Sequence, residues 1–297
     1  KSIKIINSLL KDSLTKENEA RTKYISGITN LVIRENKTSL QNFTEALKLY
    51  SNLKDLDTVA DINLRIGLLY INIGNFDKSM EFMKKSLDHY KQEKNILEIG
   101  STYGSIANIY MFQGKFDKAY EIFGKQYEIS KKLDSRLNIQ TSLGNMALVD
   151  NIQGKYTLAL NKFNEILINA QDIDDRINIC KTYGNIGIAY KNLNDYEEAI
   201  ENFTKQLEIS QESNFKGQET FTYINMGVVF HKKGELDESF NYYNLAEKSI
   251  NEIEDINAKS LLYGNRGNLL LDKGDFDNAI IQYENSIKIF TKLDNFR

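Results

Sequence analysis

Apolar and polar positions follow each other along this chain with the period of a helix, not the alternation of a strand. Between Asp175 and Leu193, Cys180, Tyr183, Ile186, Gly187 and Tyr190 fall three or four residues apart, while Lys181, Asn185 and Asn192 occupy the other face. The pattern predicts one helix (A) over about 175–193 and a second (B) over about 196–211. The same pair then recurs. Gly67, Ala107, Ala147, Gly187, Gly227 and Gly267 stand 40 residues apart with no insertion. Further columns run in step: Gly74, Gly114, Gly154, Asn194, Gly234 and Gly274; Ser79, Ala119, Ala159, Ala199, Ser239 and Ala279; Met83, Phe123, Phe163, Phe203, Tyr243 and Tyr283. Internal self-similarity of this kind marks a stack of supersecondary units.

Each unit reads as two antiparallel helices. The Gly/Asn column between them is the left-handed position that ends a helix. Asp or Ser near 134, 174 and 213 reads as the start signal for the next helix A. Glycine within a helix costs roughly 1 kcal/mol relative to alanine, so the Gly187 column needs a compensating gain. A close helix crossing supplies one, with the small residues of the Gly187 and Ala199 columns at its tightest point. Six units occupy 58–97, 98–137, 138–177, 178–217, 218–257 and 258–297. A worn repeat precedes them at 21–57, with Gly27, Ser39, Phe43 and Leu47 in register, and residues 1–20 read as half a repeat, with Ile3 and Leu10 in the helix B columns. The expected fold is all-α, an α-solenoid of about seven helix-turn-helix repeats forming one array over 1–297.

Composition narrows this further. The chain has no proline, where a chain of this length averages about 15. Uninterrupted helices with Gly, Asn and Asp turns fit that absence. Acidic residues (41) slightly exceed basic ones (38), with no basic stripe, which disfavours nucleic acid and anionic membranes as partners. No run of 18 apolar residues exists, so membrane insertion is not expected. Cys180 is the only cysteine, so no intrachain disulfide forms. The expectation is a soluble chain, with the cytoplasm slightly favoured.

These columns resemble the tetratricopeptide repeat. Its pattern of a bulky residue, Leu, Gly and Tyr in helix A, then Ala and Phe in helix B, appears here as Tyr183, Ile186, Gly187, Tyr190, Ala199 and Phe203. The fourth unit keeps Ala147, Ala159 and Phe163, but Asp150 replaces the tyrosine. The family's closing proline is missing, and the period is 40 instead of the commoner 34. The resemblance implies a right-handed superhelix whose A helices line a concave groove.

On helix A, residues 181, 185, 188 and 192 share a face, opposite the Gly187 crossing and expected to point into the groove. Its most regular feature is the column Asn145, Asn185, Asn225 and Asn265, preceded by Arg65 and Ser105 in earlier units. Asn108, Asn268 and Asn192 lie further along the same faces, with Lys181 and Lys232 adding positive charge and Leu148, Ile188 and Val228 adding apolar surface. Asparagine is a poor helix-interior residue, so four in register call for a cause. Each amide offers a donor and an acceptor that match the main chain of an extended peptide. The resemblance implies the same use, since related repeats contact peptide backbone from this column. The other reading is inheritance through duplication in an Asn-rich chain, or bonds between adjacent repeats that occupy the amides. A carboxylate clamp of the chaperone-adaptor kind is rejected, because its lysine column reads Leu64, Gly104, Gly144, Gly184, Ile224 and Gly264.

Chemistry finds no foothold. His89 and His231 lie on different repeats without recurring metal-ligand spacing, and neither they nor Cys180 assemble a nucleophile or metal site. The expected function is a non-enzymatic scaffold, needing no cofactor, that captures a peptide or protein segment in the groove. A second expectation is a regulatory or sensor region of a larger signalling enzyme (kinase, cyclase or protease), or a peptide-responsive regulator, whose effector part lies outside this chain. A third is a self-associating spacer. The ends bear on the last: KLDNFR at 292–297 aligns with KLDSRL at 132–137, the opening of a further unit. The chain is therefore expected to be a fragment or a form with docking ends, with Ile280, Ile287 and Phe290 offered to another element or copy.

Overall fold

A computed structural model describes the backbone of residues 2–33 and 35–294 and the side chains of residues 15–33 and 35–291. The columns assigned to Ile3 and Leu10, and the 292–297 alignment, fall outside the described side chains. Fourteen helices and no strand are present among the described residues. In chain order they are α1 (Ser2–Val32), α2 (Asn36–Leu53), α3 (Leu56–Asn72), α4 (Phe76–Gln92), α5 (Ile96–Phe112), α6 (Phe116–Lys132) and α7 (Arg136–Ile152). There follow α8 (Tyr156–Asp172), α9 (Arg176–Asn192), α10 (Tyr196–Glu212), α11 (Lys216–Lys233), α12 (Leu236–Ile253), α13 (Ile256–Asp272) and α14 (Phe276–Asp294). Odd-numbered helices are the A helices and even-numbered ones the B helices. They form two compact units, the first reaching Ser142 and the second beginning at Leu143.

Two helices of 17 residues, joined by three-residue connections, account for the 40-residue period in most repeats. Both connections have the same geometry. After helix A the left-handed residue is Gly74, Gly114, Gly154, Asn194, Gly234 or Gly274, as the sequence predicts. After helix B it is Lys54, Lys94, Asp134, Asp174, Asn214 or Glu254, with φ between 48° and 60°. Asp134 and Asp174 therefore end helices and do not start them, and Ser213 closes α10. The start signal lies one residue further on where it is made by a side chain: Asp175 accepts from the Asn178 amide, Asp55 from Thr58, and Asp255 from Asn257 and Ala258. The backbone sign of φ separates the two adjacent aspartates, and composition does not.

α1 runs unbroken through positions 14 and 15, which stand in register with the Lys54–Asp55 turn. Leu14 lacks the short polar side chain that tolerates a left-handed backbone, and the helix continues.

Each helix pair closes through the small columns. Ser39, Ser79 and Ser239 each donate from Oγ to the carbonyl of Gly27, Gly67 and Gly227, at 2.7, 2.7 and 2.8 Å. The large B-helix residue then covers the glycine, so Phe203 joins Ala199 to Met226 and Val229 of the next A helix. In the first unit Met83 and Leu87 meet Leu64, Ile106 and Ile109 in the same way. With their partly buried neighbours both clusters reach beyond one helix pair, so a single pair has no core of its own.

Candidate functional site

Burial divides each A helix of the second unit into two faces. On α9, Thr182, Ile186, Gly187 and Ala189 are buried, whereas Lys181, Asn185, Ile188 and Asn192 are exposed or half-buried. The equivalent stripes are Phe221, Asn225, Val228 and Lys232 on α11, and Leu261, Asn265, Asn268 and Asp272 on α13. α7 contributes Asn145, Leu148 and Ile152. α9 touches α11, and α11 touches α13, so these A helices form one layer with its stripes side by side.

Asn145, Asn185, Asn225 and Asn265 are all half-buried. Among the described residues, none of the four side-chain amides bonds to a protein group, so bonds between adjacent repeats do not occupy them. Other asparagines behave differently. Asn30, Asn42 and Asn202 donate back to the carbonyl four residues earlier. Asn192 donates to Asn151 Oδ1 at 3.1 Å, and Asn268 accepts from the Tyr283 hydroxyl at 2.8 Å, so these two expected site residues are partly engaged within the chain. In the first unit, Arg65 holds Asp61 at 2.7 Å and Ser105 donates to the Ser101 carbonyl at 3.3 Å. Asn108 is exposed in that first unit. The row of unengaged amides is therefore a property of the second unit. It lies next to Leu148, Ile188 and Val228, so polar and apolar rows run in parallel across the layer.

The remaining column of glycines belongs to the helix crossing. A Cβ at Gly104 would stand 2.7 Å from the Gln126 amide, and one at Gly184 would meet Gln206 more closely still. Both glycines lie under B-helix glutamines and away from the exposed stripe.

Reactive groups are quiet. Cys180 is fully buried with its Sγ 3.6 Å from the Gln206 carbonyl, and burial pushes the thiol up to about 11. Each histidine has an aspartate partner that sequence spacing did not reveal: His89 Nε2 lies 2.8 Å from Asp57 Oδ1, and His231 Nε2 lies 2.7 Å from Asp272 Oδ2. No group of three His, Cys, Asp or Glu converges on a metal-binding geometry among the described residues. No described helix is long and apolar enough to cross a membrane.

Charge on the layer is uneven. Lys181, Lys191 and Lys232 have no acidic partner among the described residues, in contrast to Lys233, which reaches Glu235 at 3.1 Å and Glu197 at 3.3 Å. Lys191 lies off the 181/185/188/192 stripe, beside its end, and periodicity alone did not select it.

Tetratricopeptide repeat family models match residues 98–172, 137–212 and 178–252, and a second such model matches 60–89 and 261–292. The chain belongs to the tetratricopeptide repeat family. No curated protein sequence matches it. Among solved structures it is similar to the apo form of RapI, at 17% identity and a TM-score of 0.76, over 93% of this chain and 99% of that one. It is also similar to aspartyl phosphate phosphatase F from Bacillus subtilis, at 15% identity and 0.77, over 96% and 73%. The Rap conjugation gene regulator of the plasmid pLS20, described in complex with the Phr* peptide, aligns at 16% identity and 0.64, over 92% and 74%. At these identities the likeness is one of fold. Within this tetratricopeptide array the unengaged asparagines lie on the A helices of four successive repeats.

Proposed function

We propose that this tetratricopeptide array is a non-enzymatic binding module that holds an extended peptide segment along the A-helix layer of its second unit. The observation that carries the reading is the row Asn145, Asn185, Asn225 and Asn265, in register and without an intramolecular hydrogen bond among the described residues. Each amide presents two N–H donors and one acceptor, which suits main-chain N–H and C=O groups whatever the side chains of the bound segment. Lys181, Lys232, Leu148, Ile188 and Val228 then select among those side chains. Support comes from the plasmid pLS20 regulator, a structure of the same fold described in complex with a peptide.

Each such hydrogen bond contributes roughly 0.5–1.5 kcal/mol net, so removing two weakens binding about tenfold or more. The test selects randomised decapeptides displayed on phage against the full chain, then measures the enriched peptides on Asn185→Ala/Asn225→Ala. Loss of affinity with a nearly unchanged thermal melt supports the reading, and unaltered affinity removes it. A second reading makes the array the sensor region of a larger signalling protein whose effector part lies outside this chain. It is favoured by the likeness to a phosphatase and to a gene regulator. The full-length reading frame distinguishes the two.

A further inference from the structure

Successive A helices of the second unit meet near their C-terminal ends through one repeating pair of positions, 41 residues apart. In the first rung Asn192 donates to Asn151 at 3.1 Å. In the third, His231 lies 2.7 Å from Asp272. The second rung, between them, sets Lys191 of α9 against Lys232 of α11. Where its neighbours have complementary partners, this rung has two cations and no anion among the described residues.

Lysines in the last turn of a helix interact favourably with its dipole, which accounts for a lysine at each of these helix ends. It does not account for a half-buried lysine set against the like charge of the next repeat. Burial, and secondly the Lys232 charge, hold the Lys191 ammonium below the usual lysine range. One event offsets both effects, the arrival of an anion between the two ammonium groups.

We propose that the Lys191–Lys232 rung is the seat of a carboxylate from the bound segment, an Asp or Glu side chain held beside Ile188 and Asn192. The inference rests on the peptide-binding reading above and adds a sequence requirement to it. The asparagine row holds main chain, and the lysine rung demands one acidic residue in the segment lying over it. The occupant is a peptide side chain because the rung borders the amide row, where a segment bound to Asn185 and Asn225 passes between α9 and α11.

The test uses the decapeptides enriched on the full chain. They share an acidic residue at one position, and changing it to Gln or Asn weakens binding at least tenfold. Lys191→Gln/Lys232→Gln loses the same factor for the acidic peptide and loses far less for the neutral peptide. Because the double variant removes a like-charge pair, its thermal melt does not fall, which separates lost recognition from lost folding. Enriched peptides without a shared acidic position, or undiminished binding of the acidic peptide to the double variant, overturn the inference. So does a loss seen only on amidation of the peptide C-terminus, which would assign the rung to a terminal carboxylate. The Asn185→Ala/Asn225→Ala result stays independent of all three, and a selection that enriches nothing overturns both readings together.

Discussion

The ring of Phe203 lies directly over Gly187, where an added methyl group would stand 2.7 Å from Phe203 Cε1. The relationship recurs at Gly27 under Phe43 at 2.6 Å, Gly67 under Met83 at 2.9 Å and Gly267 under Tyr283 at 2.5 Å, with Gly227 under Tyr243 the tightest. The glycine is therefore a seat for a large side chain that faces the next repeat. Its low helix propensity is offset by a contact repeated along each unit. The third and fourth repeats carry Ala107 and Ala147 opposite Phe123 and Phe163, so alanine and phenylalanine coexist at this crossing.

That comparison ranks two substitutions. Gly187→Ala recreates the alanine–phenylalanine pair and is expected to cost about 1 kcal/mol, whereas Gly227→Ala forces a methyl group against a fully buried tyrosine and costs about 2–3 kcal/mol. Urea midpoints at unchanged slope read the difference. Equal costs, or the reverse order, contradict the account.

The end of helix A and the crossing were legible because both rest chiefly on glycine, whose position needs no partner to be recognised. The second turn of each repeat was not. Lys54, Lys94 and Glu254 adopt a left-handed backbone for which lysine and glutamate carry no sequence signal. The exposed stripe of α9 followed from spacing alone, since 181, 185, 188 and 192 are neighbours on any helix. Lys191 and the histidine–aspartate pairs did not, because their partners lie 32 or 41 residues away on another helix. Asp150 read only as a departure from the family tyrosine, and its compensation required knowing what faces it.

Left-handed turns with ordinary side chains are a removable strain. At φ near 55° Lys94 and Glu254 pay a steric cost that glycine does not. Lys94→Gly and Glu254→Gly are each expected to raise stability by about 0.5–1 kcal/mol, net of the greater freedom glycine gives the unfolded chain. Lys94→Val should lower it. A thermal or urea midpoint that falls in both glycine variants would count against the turn assignment.

Glu219 links stability to pH. Burial acts to raise its carboxyl, but hydrogen bonds from Lys216, Gln211 and Tyr223 outweigh burial and hold it below its usual value of 4.5. A carboxyl lowered in the folded state stabilises the fold fully above its unfolded value, and that stability is lost as pH falls through the folded value. Glu219→Gln should therefore lower the urea midpoint more at pH 7 than at pH 3. A gap of the same size at both pH values would show that the charge is not what matters there.

The Asp150–Lys162 ion pair stands where the second and sixth repeats place two aromatic rings. Tyr70 stacks on Phe82 with centroids 5.7 Å apart, and Phe230 on Tyr242 at 5.1 Å, each pair 12 residues apart across one hairpin. In the fourth repeat the same two columns hold Asp150 and Lys162, joined at 2.7 Å with the carboxylate 2% exposed. Removing one partner leaves a buried charge unmatched, so Lys162→Ala is expected to cost about 3–5 kcal/mol. Replacing both installs the aromatic pair that the second and sixth repeats use. Asp150→Tyr/Lys162→Phe is therefore expected to lie within about 1 kcal/mol of the wild type, far above the sum of the single substitutions. A double-mutant cycle by urea unfolding measures the coupling. Additive losses would mean that the two columns do not face each other in this repeat as they do in the second and sixth.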